Sequence, residues 1–135
     1  MPVSARADYA LRAAVELAAA PGRLLSAGQL ARAQEIPDGL VETVLTCLRR
    51  SNIVRLARGP DGGFWLARPA AEVSLAAVIR AVDGQLPAAP GGFPQDAAYP
   101  GPAEPLRRAW TAVRAFGPSV LETLTLADIV SGELW

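Results

Sequence analysis

The sequence predicts a mainly α fold with a small β-hairpin wing: a winged helix-turn-helix followed by a long C-terminal dimerisation helix. Three observations predict it. Two short helical segments stand on either side of a tight Glu35-Ile36-Pro37-Asp38 break, the outline of a helix-turn-helix. Two apolar runs follow at once around a Gly-rich tip, which reads as a hairpin. A heptad-spaced apolar seam then runs through the last quarter of the chain.

Taken in order, residues 4–20 are Ala- and Leu-rich and form a first helix, with Ser4 as N-cap and Pro21-Gly22 as the stop. Its small side chains let another helix approach closely. Ser26 and Gln29 make a capping box that opens a helix over about 27–34. Asp38 is the expected cap of a third helix, 39–51, with Leu40, Val44, Leu45 and Leu48 on its inner face. Residues 53–58 and 64–68 are the two strands, joined through Asp61-Gly62. Ser74 begins a helix over 75–83 that ends at Gly84. Residues 87–105 hold six Pro and three Gly, so a mobile linker or irregular loop is expected. Leu106, Trp110, Val113, Gly117, Val120 and Leu124 form the seam, expected either to meet a dimer partner or to pack on the chain's own core. Gly117 allows close approach and Pro118 predicts a kink. Thr125 and Asp128 open a short final helix. The expected division is 1–84 for the winged helix (wing 53–68), 85–105 for the loop and 106–135 for dimerisation.

Composition narrows the chemistry. The chain has 135 residues, no His and one Cys, Cys47, so imidazole catalysis, an internal disulfide and a Cys-cluster metal site are excluded. No apolar run reaches the ~20 residues of a membrane span, and no apolar signal core is visible. A cytoplasmic protein with no membrane partner is expected. There is no phosphate loop, nucleophile elbow or informative carboxylate pair, which argues against an enzyme.

The formal net charge is zero, but it is unevenly spread. Residues 1–68 carry nine Arg against six acids, a net +3, and residues 69–135 are net −3. The basic half is where a polyanion would dock, although such an excess is also ordinary surface variation. Helix 39–51 is the candidate recognition helix, of a width that fits the major groove. Glu42 can accept from a cytosine amino group, and Thr43 and Thr46 can meet phosphate or a thymine methyl. Arg49 and Arg50, at the far end, suit phosphates. The same residues also suit a solvated helix face. Arg55 lies on the first strand and Arg58 at the base of the wing, from which a guanidinium can enter a narrow minor groove. Asp61 at the tip opposes close phosphate approach. Cys47 reads as a small core residue more readily than as a redox sensor. Trp65 and Trp110 read as core and interface.

Several segments together carry a resemblance. They are SARADYALR from Ser4, Leu48-Arg-Arg-Ser-Asn-Ile-Val54, Arg58-Gly-Pro-Asp-Gly-Gly-Phe64, Leu66-Ala-Arg-Pro69, Val78-Ile-Arg-Ala-Val-Asp-Gly84, Pro105-Leu-Arg-Arg-Ala-Trp110 and Thr125-Leu-Ala-Asp-Ile-Val130. In that order the chain resembles the Rrf-two (IscR-type) family of bacterial winged-helix transcription regulators, over nearly its whole length. The resemblance implies a homodimer with crossing helices, and double-stranded DNA as partner. By position it implies Gly39, Glu42 and Thr43 as DNA-reading residues and Arg58 as the minor-groove residue. Many members hold an iron–sulfur cluster through three Cys in the loop before the dimer helix. Here that loop reads GGFPQDAAYPGPAE, with Glu104 where the last Cys is expected and Arg107 near a His position. Asp8 matches an acidic ligand that some relatives use, but Arg12 takes the place of a His. No soft ligand remains, so no cluster and no other cofactor is expected.

The expected function is therefore transcription regulation, as a repressor, by a cluster-free homodimer on a near-palindromic operator. The candidate DNA contacts are Ser26, Gln29, Asp38, Gly39, Glu42, Thr43, Thr46, Arg49, Arg50, Arg55, Arg58 and Gly62. A small-molecule or redox effector would act by changing the angle between the two winged-helix units. The alternative is a protein-interaction module on the same scaffold, favoured by zero net charge and Asp61.

Overall fold

The computed structural model describes residues 3–87 and 98–134. Its elements are α1 (Ala5–Ala18), α2 (Ala27–Gln34), α3 (Asp38–Arg50), β1 (Val54–Ala57), β2 (Gly63–Leu66), α4 (Leu75–Asp83), α5 (Leu106–Phe116), α6 (Val120–Thr123) and α7 (Leu126–Ser131). Short 3₁₀ turns occupy Ala70–Glu72 and Gly101–Ala103.

Helix α1 is the centre of the packing. The Ser4 hydroxyl oxygen accepts from the Ala7 N–H, capping the helix, and the same hydroxyl donates to Asp83 at 2.6 Å. The start of α1 is thereby tied to the end of α4. Ala7, Ala10, Ala13 and Ala14 are fully buried. Having no side chain beyond Cβ, they let α2, α3, α4 and α7 all pack on one helix.

Helix α2 opens with both bonds of the Ser26–Gln29 capping box. It closes at Glu35, whose φ of 54° turns the chain toward α3. Helix α3 departs from expectation at its start. Pro37 is the N-cap and provides no side-chain bond, while Asp38 is the first helical residue. A carboxylate in the first turn still complements the helix dipole. Inside, Val41, Val44, Leu45 and Leu48 are buried, with Leu40 only half-buried.

The wing is shorter than the apolar runs suggested. Its antiparallel register pairs Val54 with Leu66, Arg55 with Trp65, Leu56 with Phe64 and Ala57 with Gly63. Arg55 and Trp65 therefore share one face. A Cβ on Gly62 would lie 2.0 Å from the Ala57 carbonyl oxygen, so only glycine fits this tip. Phe64 also exchanges backbone bonds with Leu25, at 2.7 and 3.1 Å, anchoring the wing to the segment before α2.

The C-terminal region corrects two expectations. First, no continuous helix runs from 106 to 124. Helix α5 stops at Gly117, whose positive φ of 97° takes the backbone out of the helical region, and Pro118 cannot donate to a continuing ladder. Second, the seam residues face the chain's own core. Leu106, Trp110, Val113 and Leu124 are buried within the chain, and Gly117 and Val120 are half-buried. The break lets the chain turn back, so that Leu75 donates to the Leu124 carbonyl and Leu126 to that of Val73. The seam is thus consumed inside one chain, and the residues expected as a dimer interface are not an outward surface.

The expected loop divides as well. Residues 88–97 lie outside the described residues. Residues 98–104 are not a free linker: Tyr99 and Ala103 are buried against the same core cluster as α1 and α5.

Candidate nucleic-acid interface

The outer face of α3 is built by subtraction. Once Val41, Val44, Leu45 and Leu48 turn inward, helical spacing leaves Gly39, Glu42, Thr43, Thr46, Arg49 and Arg50 exposed. A Cβ on Gly39 would meet nothing within 4 Å, so the fold itself does not demand glycine there. The Thr43 hydroxyl donates to the Gly39 carbonyl at 3.1 Å and that of Thr46 to the Glu42 carbonyl at 2.9 Å. Their protons are thus used within the helix, which leaves oxygen lone pairs and methyl groups for a partner. Chemically the face offers acceptors and methyls in its first turns and two guanidinium groups in its last.

Thr46, Arg49 and Arg50 come together with Arg55 and Trp65 in a groove of about 720 Å³ between α3 and the outer face of the wing. No acidic side chain lines it. Three positive charges around one open groove suit a polyanionic strand. The sequence supplied four of its five polar members, Thr46, Arg49, Arg50 and Arg55. Trp65 and Asn52, which also line the groove, were not foreseen as part of it, because only the strand register puts Trp65 beside Arg55.

Arg58, exposed, stands with Ser26 and Gly62 around a second cleft of about 300 Å³ at the base of the wing. Ser26 and Gln29 serve each other in the capping box, at 2.8 and 3.1 Å, so their first role is to build the start of α2. Asp38 is exposed at the first turn of α3. Asp61 is exposed at the wing tip. Cys47 is half-buried on α3.

A different surface was missed altogether. The outer side of α5 carries Phe116, 77% exposed, beside a shallow apolar cavity of about 310 Å³ lined by Arg108, Thr111, Ala112 and Ala115. Heptad spacing points to the seam and away from Phe116, so only the direction of burial reveals this face.

Behind α3 lies a polar cluster on α1. Arg12 pairs with Asp8 at 2.9 Å, and the Tyr99 hydroxyl donates to the other Asp8 oxygen at 2.7 Å. Burial, followed by the Asp8 carboxylate, holds the Tyr99 phenol well above its usual range, so it stays a neutral donor.

A family model described as an iron-dependent transcriptional regulator, Rrf2, matches residues 3–132. An HTH-type transcriptional regulator of Mycobacterium tuberculosis is 45% identical over 135 residues, covering 99% of this chain and 84% of that protein. The regulator IscR of Cereibacter sphaeroides is 31% identical, covering 99% of this chain and 90% of its own length. Among solved structures, CymR, the global cysteine regulator of B. subtilis, gives a TM-score of 0.72 at 26% identity, with 97% of each chain covered. IscR of T. potens gives 0.69 at 26%, covering 97% of this chain and 87% of that one.

The iron in that family description implies a donor set that these residues do not fit. The one thiol, Cys47, sits on α3. Asp8 is engaged by Arg12 and Tyr99, and Glu104 by Arg107 at 2.5 Å. Among the described residues, no three His, Cys, Asp or Glu groups gather as a metal site would need. No described helix is long and apolar enough to cross a membrane. Helix-turn-helix, wing and full-length matches agree: the chain belongs to the Rrf2 family of winged-helix transcription regulators, which bind DNA and are not enzymes.

Proposed function

We propose that this protein is a repressor that binds a near-palindromic operator as a homodimer, without an iron–sulfur cluster. The observation that carries the reading is the acid-free groove of Arg49, Arg50 and Arg55, continuous with the exposed face of α3. In this reading Gly39, Glu42 and Thr43 meet base edges in the major groove. Gly39 allows the helix backbone to come close, Glu42 accepts from a cytosine amino group, and Thr43 offers its methyl to thymine. Thr46, Arg49, Arg50 and Arg55 hold one phosphate strand in the groove. Arg58 enters the minor groove from the base of the wing, with the Gly62 turn beside it, and Ser26, Gln29 and Asp38 flank the approach at the starts of α2 and α3. Repression then follows from occupying a promoter.

The homodimer is supported by the apolar face of α5. Phe116 of one copy and the cavity at Ala112 and Ala115 of the other are complementary, and a two-fold axis repeats the contact. The cluster-free state is supported by the donor set, which lacks thiolates beside α1. A small-molecule or redox effector would act on the angle between the winged-helix units.

The test is fluorescence anisotropy with DNA from the protein's own promoter region across a salt series. Specific binding should weaken steeply as salt rises. Arg58→Ala should weaken it roughly tenfold, most on A·T-rich sites. Binding that ignores both salt and Arg58 would instead favour the protein-interaction module, for which the exposed Asp61 at the wing tip speaks.

A further inference from the structure

Three parts of the chain meet at Arg12. From α1 its guanidinium pairs with Asp8 and donates to the Gln34 carbonyl at 3.3 Å, in the last residue of α2. The same guanidinium lies 5.1 Å from the centre of the Tyr9 ring and 4.7 Å from that of Tyr99. Tyr99 comes from the segment before α5. Its hydroxyl donates to Asp8 and accepts from the Trp110 indole N–H of α5 at 2.6 Å. One oxygen atom therefore joins α1 to α5.

A second bond runs beside it. Gln34, wholly buried, donates its side-chain amide to the Pro100 carbonyl at 3.0 Å and to Glu16 at 2.8 Å. The end of α2 is thus held from α1 by Arg12 and from the segment before α5 by Pro100. Glu35, the next residue, makes the left-handed turn toward α3. A movement of Tyr99 and Pro100 has a short path to the recognition helix.

Such a network is a costly way to fill space. Apolar side chains of the same volume stabilise as well or better, whereas hydrogen bonds demand one geometry. We propose that Tyr99 is a positioning residue for DNA recognition: with Asp8, Arg12 and Trp110 it fixes α5 against the helix-turn-helix. The inference rests on the homodimer reading, because α5 carries the proposed dimer face. In a dimer, the network then sets the distance and angle between the two recognition helices. The joint is made of ordinary side chains, so that distance is set by the fold itself.

The test uses the full chain and the variant Tyr99→Phe, which keeps the ring over Arg12 and removes the hydroxyl. Two readouts are needed. On duplexes whose half-site spacing is varied one base pair at a time, the wild type should prefer one spacing roughly tenfold, the equivalent of one good hydrogen bond. Tyr99→Phe should flatten that preference to within about threefold, with the salt slope unchanged. Without DNA, hydrogen exchange in the variant should speed up in the last turn of α2 and the first of α5, while α4 and α7 stay as in the wild type. Trp110→Phe, which removes the indole donor together with part of the buried ring, should shift both readouts the same way and serves in its place should Tyr99→Phe not fold. Tyr9→Phe should shift neither. Wild-type exchange in α2 and α5 together with an unchanged spacing preference would overturn the inference. A wild type that is monomeric, or binds no operator, would refute the homodimer reading instead, and hydrogen exchange alone would then decide whether the joint exists.

Discussion

Helices α3 and α5 are alike on the inside and opposite on the outside. Each buries a stripe at helical spacing: Val41, Val44, Leu45 and Leu48 on α3, and Leu106, Ala109, Trp110 and Val113 on α5. The outer face of α3 then presents Glu42, two Thr and two Arg, all exposed. That of α5 presents Phe116 and a cavity floored by alanines. Burial explains why both helices exist. In the proposed reading, what each meets is written on the side that the fold leaves out: charge and hydrogen-bonding groups for a polyanion, an aromatic knob and a small-residue hollow for a second copy.

The comparison breaks hardest from within. Trp110→Ala should cost about 3–5 kcal/mol and Leu48→Ala about 2–5 kcal/mol, measured by urea unfolding, because each empties a fully packed site. Either change removes both functions at once, since neither outer face survives without its inner one. Next in size is the outer face of α5. Phe116→Ser should weaken self-association by about 2 kcal/mol, seen as a shift to monomer in sedimentation velocity. The melting temperature of the monomer should barely move, because the side chain is exposed in the single chain. A variant as dimeric as the wild type would place the dimer contact elsewhere. The smallest effect on the protein itself belongs to the outer face of α3. Arg49→Gln with Arg50→Gln should leave stability within ~0.5 kcal/mol. In the salt series the same pair should lower the slope of operator binding by about two, close to one counterion per guanidinium. An unchanged slope would remove these residues from the phosphate contacts.

Much of this was legible in the residues. The capping boxes at Ser26–Gln29 and Thr125–Asp128 are both formed, and α4 stops at Gly84 as expected, there in a left-handed conformation. These are local signals, each carried within about four residues, and local signals survive in any tertiary context that keeps the helix. The wing was legible for the same reason, because a glycine tip between two apolar runs is short-range chemistry. Asp38 misled because Asp is a good cap by type, yet the Pro37 backbone geometry already starts the helix. The seam misled more instructively. Spacing told which residues would be buried, and Leu106, Trp110, Val113 and Leu124 are. It held no information on whether their partner was the same chain or another.

The Tyr99 joint was not legible at all. Asp8, Arg12, Gln34, Tyr99 and Trp110 span more than a hundred positions, and beyond the i,i+4 pair of Asp8 and Arg12 no spacing rule links them. Asp8 and Arg12 stood out only against a ligand pattern that this chain does not carry. Their partners beyond each other, a phenol from a Pro-rich segment and the Gln34 backbone carbonyl at the end of α2, appear only when the chain closes on itself.

By itself, then, the sequence determined most helix starts and stops, the wing, the stripe that each helix buries and the lack of a thiolate cluster. All follow from short-range chemistry and residue type. Tertiary structure alone decided the rest: that Gly117 and Pro118 return the C-terminal segment to its own core, that Phe116 is left outside, that Trp65 stands beside three guanidinium groups, and that one tyrosine oxygen joins α1 to α5. Those outcomes depend on which surfaces are used up first. Burial is shared among residues far apart in the chain, so it is settled only when they pack together.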